Sequence, residues 1–318
     1  MSDAKTIVLL GSSGTIGSAV HSELLRHGHN VIVFTRDHPR PSDHDVKVVD
    51  FSRIASIRDD GFGIDPVDAV ISCMASRTGA PKDAWAVDYQ AHSNVLAAAK
   101  AKGVNQFVLL SAICVQKPLL AFQEAKLAFE NELETSGLTF SIVRPTAFFK
   151  SLSGQLDRLR AGKKFLLFGT GELTACKPIS DADLARFMVS CLTDPDKQNK
   201  ILPIGGPGPA LSPKQQGELL FEALGEAPRF SKVPVGMMDA IIGVLSTLGW
   251  IIPPLKQKAE LAKIGKYYAT ESMLVWDEAA GRYDADATPE FGSDRLSDHY
   301  QKLVAQGTSD QRGDHKVF

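Results

Sequence analysis

The chain has 318 residues, 44% apolar and 23% charged, enough for one large or two ordinary domains at roughly 150 residues each with a sizeable core. Its 35 Lys plus Arg against 37 Asp plus Glu leave a net charge of −2, which argues against nucleic-acid binding driven by phosphate neutralisation. Cys73, Cys114, Cys176 and Cys191 show neither C-x-x-C spacing nor companion histidines, so the expectation is a reduced, cytoplasmic protein without a disulfide framework or zinc site.

The N-terminus turns hydrophobic only over Ile7 to Leu10, too short for a secretory h-region, and follows no Arg-rich transit stretch, so the protein is expected to stay where it is made. TIVLL (6–10), NVIVF (30–34), VKVVDF (46–51), DAVISCM (68–74), QFVLLSA (106–112) and FSIVRP (140–145) are continuous runs rich in Val, Ile and Leu, the pattern of strands buried on both faces. Helical patterns lie between them at Ser18 to His27, Ala84 to Lys102 and Gln123 to Ser136. Repeated β-α-β units predict a doubly wound α/β fold, a parallel Rossmann sheet with helices on both faces, because parallel crossovers need a long connection and are nearly always right-handed.

Beyond Arg144 and Pro145 the rhythm changes. Residues 151–163 read as helix, FLLFG (165–169) as a short strand, DADLARFMVSCL (181–192) as helix and KILPIGG (200–206) as strand. Ser212, with Pro213 at the first helical position and Gln215 three residues on, forms a capping box that opens a helix ended by Gly225. The expected division is a dinucleotide-binding domain over 1–150, a smaller mixed α/β substrate-binding region over 151–306 built partly onto the same sheet and partly over its carboxyl edge, and a frayed polar tail over 307–318. One stretch stands apart. Residues 236–255, GMMDAIIGVLSTLGWIIPPL, carry the single charge of Asp239 and approach the length of a membrane span. Gly243 and Gly249 interrupt the stretch and Pro253 and Pro254 close it, so it reads instead as an apolar wall or lid over a pocket, or as a patch that touches a membrane.

The first strand runs straight into Gly11-Ser12-Ser13-Gly14-Thr15-Ile16-Gly17. A G-x-x-G-x-x-G between a strand and a helix is a dinucleotide fingerprint: Gly11 permits the tight turn, Gly14 lets the pyrophosphate approach, Gly17 allows close helix packing, and Ser13, Thr15 and Ile16 complete the phosphate loop. Arg36, nineteen residues after Gly17, can pair with the 2′-phosphate of NADP and so favours NADPH; the alternative is that Asp37 takes the ribose and Arg36 is a solvated charge. Asp50 and Phe51 at the third strand end are expected to flank the adenine. Cys73, Met74 and Ala75 at the fourth, with Pro145 at the sixth, are expected to line the nicotinamide side, since ligands bind outside the carboxyl ends of parallel strands.

Fingerprint and topology resemble the short-chain dehydrogenase/reductase superfamily, in which a Tyr-x-x-x-Lys pair faces the nicotinamide and a Ser ends the preceding strand. Ser111 and Lys126 fill two of these places as catalytic candidates, Lys126 also as a ligand of the nicotinamide ribose, but Phe122 stands where the Tyr would be. Four-residue spacing puts Phe122 and Lys126 on one helix face. Without the phenol, ordinary ketone reduction is disfavoured, whereas a carbon–carbon double bond conjugated to a large electron sink remains reducible.

Longer stretches are more specific. SCMASRTGAPKDAWAVDYQAHSNVLAAAK (72–100), FVLLSAICVQKPLLAFQEAKLAFE (107–130), SIVRPTAFFKSLSGQ (141–155), LTACKPISDADLA (173–185), ILPIGGPGPALSP (201–213) and IGKYYATESMLVWD (264–277) resemble the 3,8-divinyl protochlorophyllide a 8-vinyl reductase family, over about residues 5–305. The resemblance implies an NADPH-dependent reduction of the 8-vinyl group of a divinyl protochlorophyllide or chlorophyllide to ethyl, in chlorophyll or bacteriochlorophyll synthesis, with hydride going to the outer vinyl carbon and a proton to the inner one. That family also lacks the Tyr. With no transit stretch before Thr6, the copy looks bacterial, cytoplasmic or peripheral to the photosynthetic membrane. Tyr267, Tyr268, Cys176 and bound water are candidate proton donors. Phe122, Phe148, Phe149 and Cys176 are candidate apolar contacts for the macrocycle, and Lys150 or Lys177 can pair with its propionate; ordinary core and solvated lysines are the alternative. No magnesium or other metal ligand is predicted, none of the eight histidines having a persuasive apolar context. Two rival functions remain at this level: a catalytically silent NADP(H)-sensing regulator, and an isomerase or reductase of small phenolic or sugar substrates.

Overall fold

The computed structural model describes residues 4–36, 45–64, 66–250 and 252–308. Strands β1 (Thr6–Leu10), β2 (Asn30–Thr35), β3 (Val46–Val48), β4 (Ala69–Ser72), β5 (Gln106–Leu110) and β6 (Thr139–Pro145) precede β7 (Phe165–Phe168) and β8 (Lys200–Ile204). All but β7 form one parallel sheet in the order β3-β2-β1-β4-β5-β6-β8, the doubly wound arrangement expected of buried apolar runs joined by helices. Strand alternation explains why the central strands are apolar on both faces over their middles. Ile7 and Leu9 of β1 enter a core layer with Val20, Leu24, Leu184 and Met188, from the helices Thr15–Arg26 and Asp181–Ser190. Val8 and Leu10 enter the opposite layer with Val95, Phe129 and Leu133, from the helices His92–Ala101 and Ala121–Glu134.

Two local differences from the sequence expectation have identifiable causes. The run at 46–51 pairs only over Val46–Val48, because Asp50 turns the chain: its Oδ1 accepts the Ser52 N–H at 2.9 Å and the Ser52 hydroxyl at 2.6 Å. The helix expected over 84–102 begins at Pro81 and is π-helical over Trp85–Ala91, a widened turn with no residue signature of its own.

Outside the sheet, β7 pairs in parallel with β9 (Phe230–Val233), and β10 (Val275–Asp277) with β11 (Arg282–Asp284) forms a small antiparallel hairpin. The capping box at Ser212 forms, its Oγ accepting the Gln215 N–H while Gln215 Oε1 accepts the Ser212 N–H at 2.8 Å, and opens the helix Pro213–Leu224. This helix and Leu296–Ala305 bury Phe221 and Tyr300 against Phe149 and Phe165. The apolar stretch 236–255 falls in two helices, Val235–Leu248 and Pro253–Thr270, which pack on each other as a hairpin. Among the described residues, no helix is long and apolar enough to cross a membrane.

Candidate functional site

The loop between β1 and its helix is built by contact. Gly11 has φ +74°, and a Cβ there would lie 2.7 Å from the Cys73 and Met74 backbone at the end of β4; at Gly17 it would lie 2.0 Å from the Gly11 carbonyl oxygen. Gly14 is different. Its φ is −75° and a Cβ would meet only the Gly11 carbonyl, at 3.4 Å, so the space above it is open. The helix Thr15–Arg26 starts there with no side-chain cap and no acid in its first turn, leaving N–H groups and the positive end of the dipole for an anion. This cradle fits a dinucleotide pyrophosphate. Ser13 is exposed beside it, while the side chain of Ile16 is buried in the core, which leaves its backbone as the part that can face a phosphate.

Lys150 also comes to this loop. Its Nζ donates to Thr15 Oγ1 at 2.7 Å, which brings a cation from beyond β6 over the phosphate cradle. The expected role of Lys150 as partner of a substrate carboxylate thus stands beside a second one, at the phosphate loop. Arg36 is exposed at the end of β2, without an ion pair to another described residue; Asp37 lies outside the described residues. Asp50 is exposed, and Phe51 is buried with its carbonyl accepting from Asn94 Nδ2 at 2.9 Å. Cys73 donates its N–H to Leu10 at 2.9 Å and Ala75 is exposed next to it, while Pro145 is buried at the end of β6.

The face of the helix Ala121–Glu134 that carries Phe122 and Lys126 continues to Glu130, and each of the three has a separate environment. Lys126 Nζ lies 3.0 Å from Asp88 Oδ1, side chains that are 12% and 0% exposed. Asp88 sits in the π-helical turn; its Oδ1 also accepts the Ser76 N–H at 3.1 Å, and its Oδ2 is buried with no partner among the described residues. Glu130 accepts the Ser111 hydroxyl and is forked by Arg144, whose Nε donates to Oε2 at 3.2 Å. The Ser111 hydroxyl is thus committed to Glu130, on the turn after Lys126. Phe122 is buried with Cys114, Cys176, Ile264 and Tyr267. It packs in this cluster with 8% of its surface exposed.

Most of the other residues expected to contact substrate are buried. Phe149, at the start of the short helix Phe149–Leu152, is buried with Leu156, Phe165 and Tyr300. Lys177 is buried, its Nζ held by Glu290 Oε1 at 2.6 Å and by the Thr288 carbonyl at 3.2 Å, so its charge is already matched. Cys176 is buried near Gln216 Nε2, and desolvation pushes its thiol up to about 12. Phe148 remains half-buried beside the bridge it makes with Ile179. The Tyr267 hydroxyl donates to the carbonyls of Cys114 at 2.9 Å and Lys117 at 3.1 Å, and desolvation raises both it and Tyr268 above the ordinary phenol range.

Sequence reasoning missed Asp88, Glu130, Gln123 and His92. Gln123 is fully buried, its Oε1 accepting the N–H groups of Leu119 and Leu120 and its Nε2 donating to Cys114, which ties the loop before the helix to its first turn. His92 corrects the view that no histidine is in an apolar setting. It is 1% exposed against Phe129, with Nε2 2.7 Å from Ser72 Oγ and Nδ1 2.8 Å from the Val87 carbonyl, and desolvation lowers it to about 4. The available signal was spacing: Glu130 is four residues beyond Lys126.

Comparison with known proteins bears on what this edge serves. Residues 11–195 match a family model described as NAD(P)H-binding, so the chain carries an NAD(P)H-binding domain. The divinyl chlorophyllide a 8-vinyl-reductase of Cucumis sativus, a chloroplastic protein, is 48% identical, the match covering 98% of this chain and 79% of that one. The chain belongs to the divinyl chlorophyllide a 8-vinyl reductase family. The Arabidopsis thaliana relative of the same name is 45% identical over 98% of this chain and 80% of its own length. Among solved structures, an NADPH-dependent quinone oxidoreductase of Escherichia coli complexed with NADPH shares the fold at TM-score 0.66 and 16% identity, with 94% of this chain and 99% of that chain covered. Family membership favours the reductase over the silent regulator, because identity extends through the whole chain and not only the glycine loop.

Proposed function

We propose that the protein is an NADPH-dependent reductase that converts the 8-vinyl group of a divinyl protochlorophyllide or chlorophyllide to ethyl. The observation that carries this is the pairing of a dinucleotide cradle and Lys126 with a buried Phe122 at the usual acid position, in a chain 48% identical to a reductase of that name. Bound there, the nicotinamide supplies a hydride. The residues of this chain supply the rest. The uncapped helix end at Gly14 and the Lys150 ammonium hold the pyrophosphate, exposed Arg36 takes the 2′-phosphate and makes NADPH the preferred form, and Lys126, oriented by Asp88, holds the nicotinamide ribose. Orientation of two planar groups provides most of the rate, so a fixed Lys126 matters more than an acid. Tyr267, Tyr268 and Cys176 hold their protons more tightly than free side chains do, which supports bound water as the proton source.

The same reading puts the protein in the cytoplasm at the surface of a photosynthetic membrane, into which its flat apolar pigment partitions. Purified protein with NADPH and divinyl protochlorophyllide or divinyl chlorophyllide tests the reading: a small blue shift of the Soret band with stoichiometric NADPH oxidation is expected. NADPH binding without oxidation in the presence of either pigment sinks it and restores the regulator.

A further inference from the structure

The hairpin of Val235–Leu248 and Pro253–Thr270 buries one side and leaves the other bare. Met237, Ile241, Val244 and Leu248 recur at intervals of four, three and four residues, which is one helix face, and each is between 43% and 58% exposed. At the tip Trp250 is 94% exposed and Ile252 is exposed beside it. The turn is tight: a Cβ at Gly249 would lie 2.9 Å from the Lys256 backbone nitrogen. Charge is placed with equal asymmetry. Asp239 is paired with Lys266 at 2.5 Å and Glu260 with Lys263 at 2.8 Å, so both acids of the hairpin are matched. Lys256 and Lys258, just past the tip, are exposed and have no ion pair among the described residues. An apolar stripe ending in an exposed indole, flanked by unmatched ammonium groups, is the chemistry that enters the headgroup layer of an anionic bilayer.

The other end of the hairpin reaches the site. Ile264 and Tyr267, in the last two turns of Pro253–Thr270, are buried with Phe122, one turn from Lys126. We infer that the hairpin is a docking arm for an anionic lipid surface, its tip and stripe in the membrane and its base in the wall beside Lys126. The docking stands on the exposed face and its charges; only the cargo, a pigment drawn from the lipid, rests on the proposed function.

The full chain is floated with vesicles of phosphatidylcholine alone or mixed with phosphatidylglycerol. Wild type should float with the anionic vesicles and show a blue shift of tryptophan emission. Replacing Lys256 and Lys258 by Ala should lower partitioning about thirty-fold, from two lysines near a charged surface, and Val244→Ser with Leu248→Ser and Trp250→Ser should abolish it and the emission shift. None of these exposed residues is in the binding machinery, so reduction of detergent-dispersed pigment should be unchanged while reduction of vesicle-borne pigment falls. Failure of wild type to float, or flotation indifferent to both sets of substitutions, overturns the inference. A dimer in sedimentation that the triple substitution dissociates also overturns it, by giving the face to a second copy. Flotation without reduction of any pigment refutes the proposed function and leaves the arm standing.

Discussion

Lys126 and Asp88 offer a sharp test, because their pairing is lopsided. Oδ1 of Asp88 has the Lys126 ammonium at 3.0 Å and the Ser76 N–H at 3.1 Å, Oδ2 has no partner among the described residues, and the side chain is wholly buried. Lys126→Met keeps the aliphatic stem and leaves a buried carboxylate with one N–H donor, and breaking a buried pair from one side costs about 3–5 kcal/mol. Asp88→Asn removes the charge that needs matching, while the Lys126 side chain, 12% exposed, is not sealed from water. That change should cost about 1.5–3 kcal/mol at most, the worth of a charge-assisted hydrogen bond. The double variant carries no buried charge and should be about 2 kcal/mol more stable than Lys126→Met alone, so the second substitution rescues the first. Urea midpoints at unchanged slope measure this. A Lys126→Met cost under about 1 kcal/mol, or a double variant less stable than Lys126→Met, refutes the pairing argument. Turnover separates the two roles of the lysine: both variants lacking it should stay impaired, and recovery of activity in the double variant would remove Lys126 from the cofactor.

Arg36→Glu should weaken NADPH by about ten- to a hundred-fold, the range of a charge-assisted contact, and NADH far less; equal losses in titrations of the two would show that Arg36 does not meet the 2′-phosphate. Lys150→Met should raise KM for NADPH and NADH alike, by about ten-fold, and leave the KM for pigment unchanged, since its ammonium lies on Thr15; a change confined to pigment KM would return it to the substrate. Burial holds His92 near a pKa of about 4 against 6.5 for the ordinary imidazole, so it is neutral in the folded protein while the unfolded chain protonates. Its contribution is therefore complete above pH 6.5 and is lost as pH falls towards 4, by about 3 kcal/mol. In His92→Gln the difference in urea midpoint between pH 6.5 and pH 4 should shrink accordingly, and an unchanged difference would contradict the assignment.

The parallel sheet was legible because strands buried on both faces must be apolar along their middles, as β1, β4 and β5 are over Ile7–Leu10, Ala69–Ile71 and Phe107–Leu110, with polar residues only at an end. The phosphate loop was legible for a related reason: contacts of 2.0 Å and 2.7 Å at Gly17 and Gly11 admit no side chain, and such a demand shows in the sequence. The substrate side was less so. Phe149 and Lys177 have suitable chemistry in a suitable segment, but direction depends on tertiary partners distant in sequence, Tyr300 for the one and Glu290 for the other. Lys150 was noticed for its charge, but its contact with Thr15, 135 residues away, left no mark in the sequence. Asp88 had no signal at all, since the π-turn that carries it is made by packing and not by a residue pattern.

One helix face explains why losing a phenol here need not be a loss of design. Phe122, Lys126 and Glu130 follow one another at four-residue spacing and divide three tasks: Phe122 packs the base of the arm through Ile264 and Tyr267, Lys126 is fixed by Asp88, and Glu130 gathers Ser111 and Arg144 from the ends of β5 and β6. A hydroxyl at 122 would enter a cluster of apolar side chains whose nearby carbonyls, those of Cys114 and Lys117, already accept from Tyr267. Reduction of a vinyl group conjugated to a macrocycle needs no acid at that place, because the ring system itself can spread the charge that hydride delivers. On the function and the docking proposed above, the buried aromatic there would couple the wall beside Lys126 to the hairpin, and thereby the place of hydride delivery to the surface from which an apolar substrate would come.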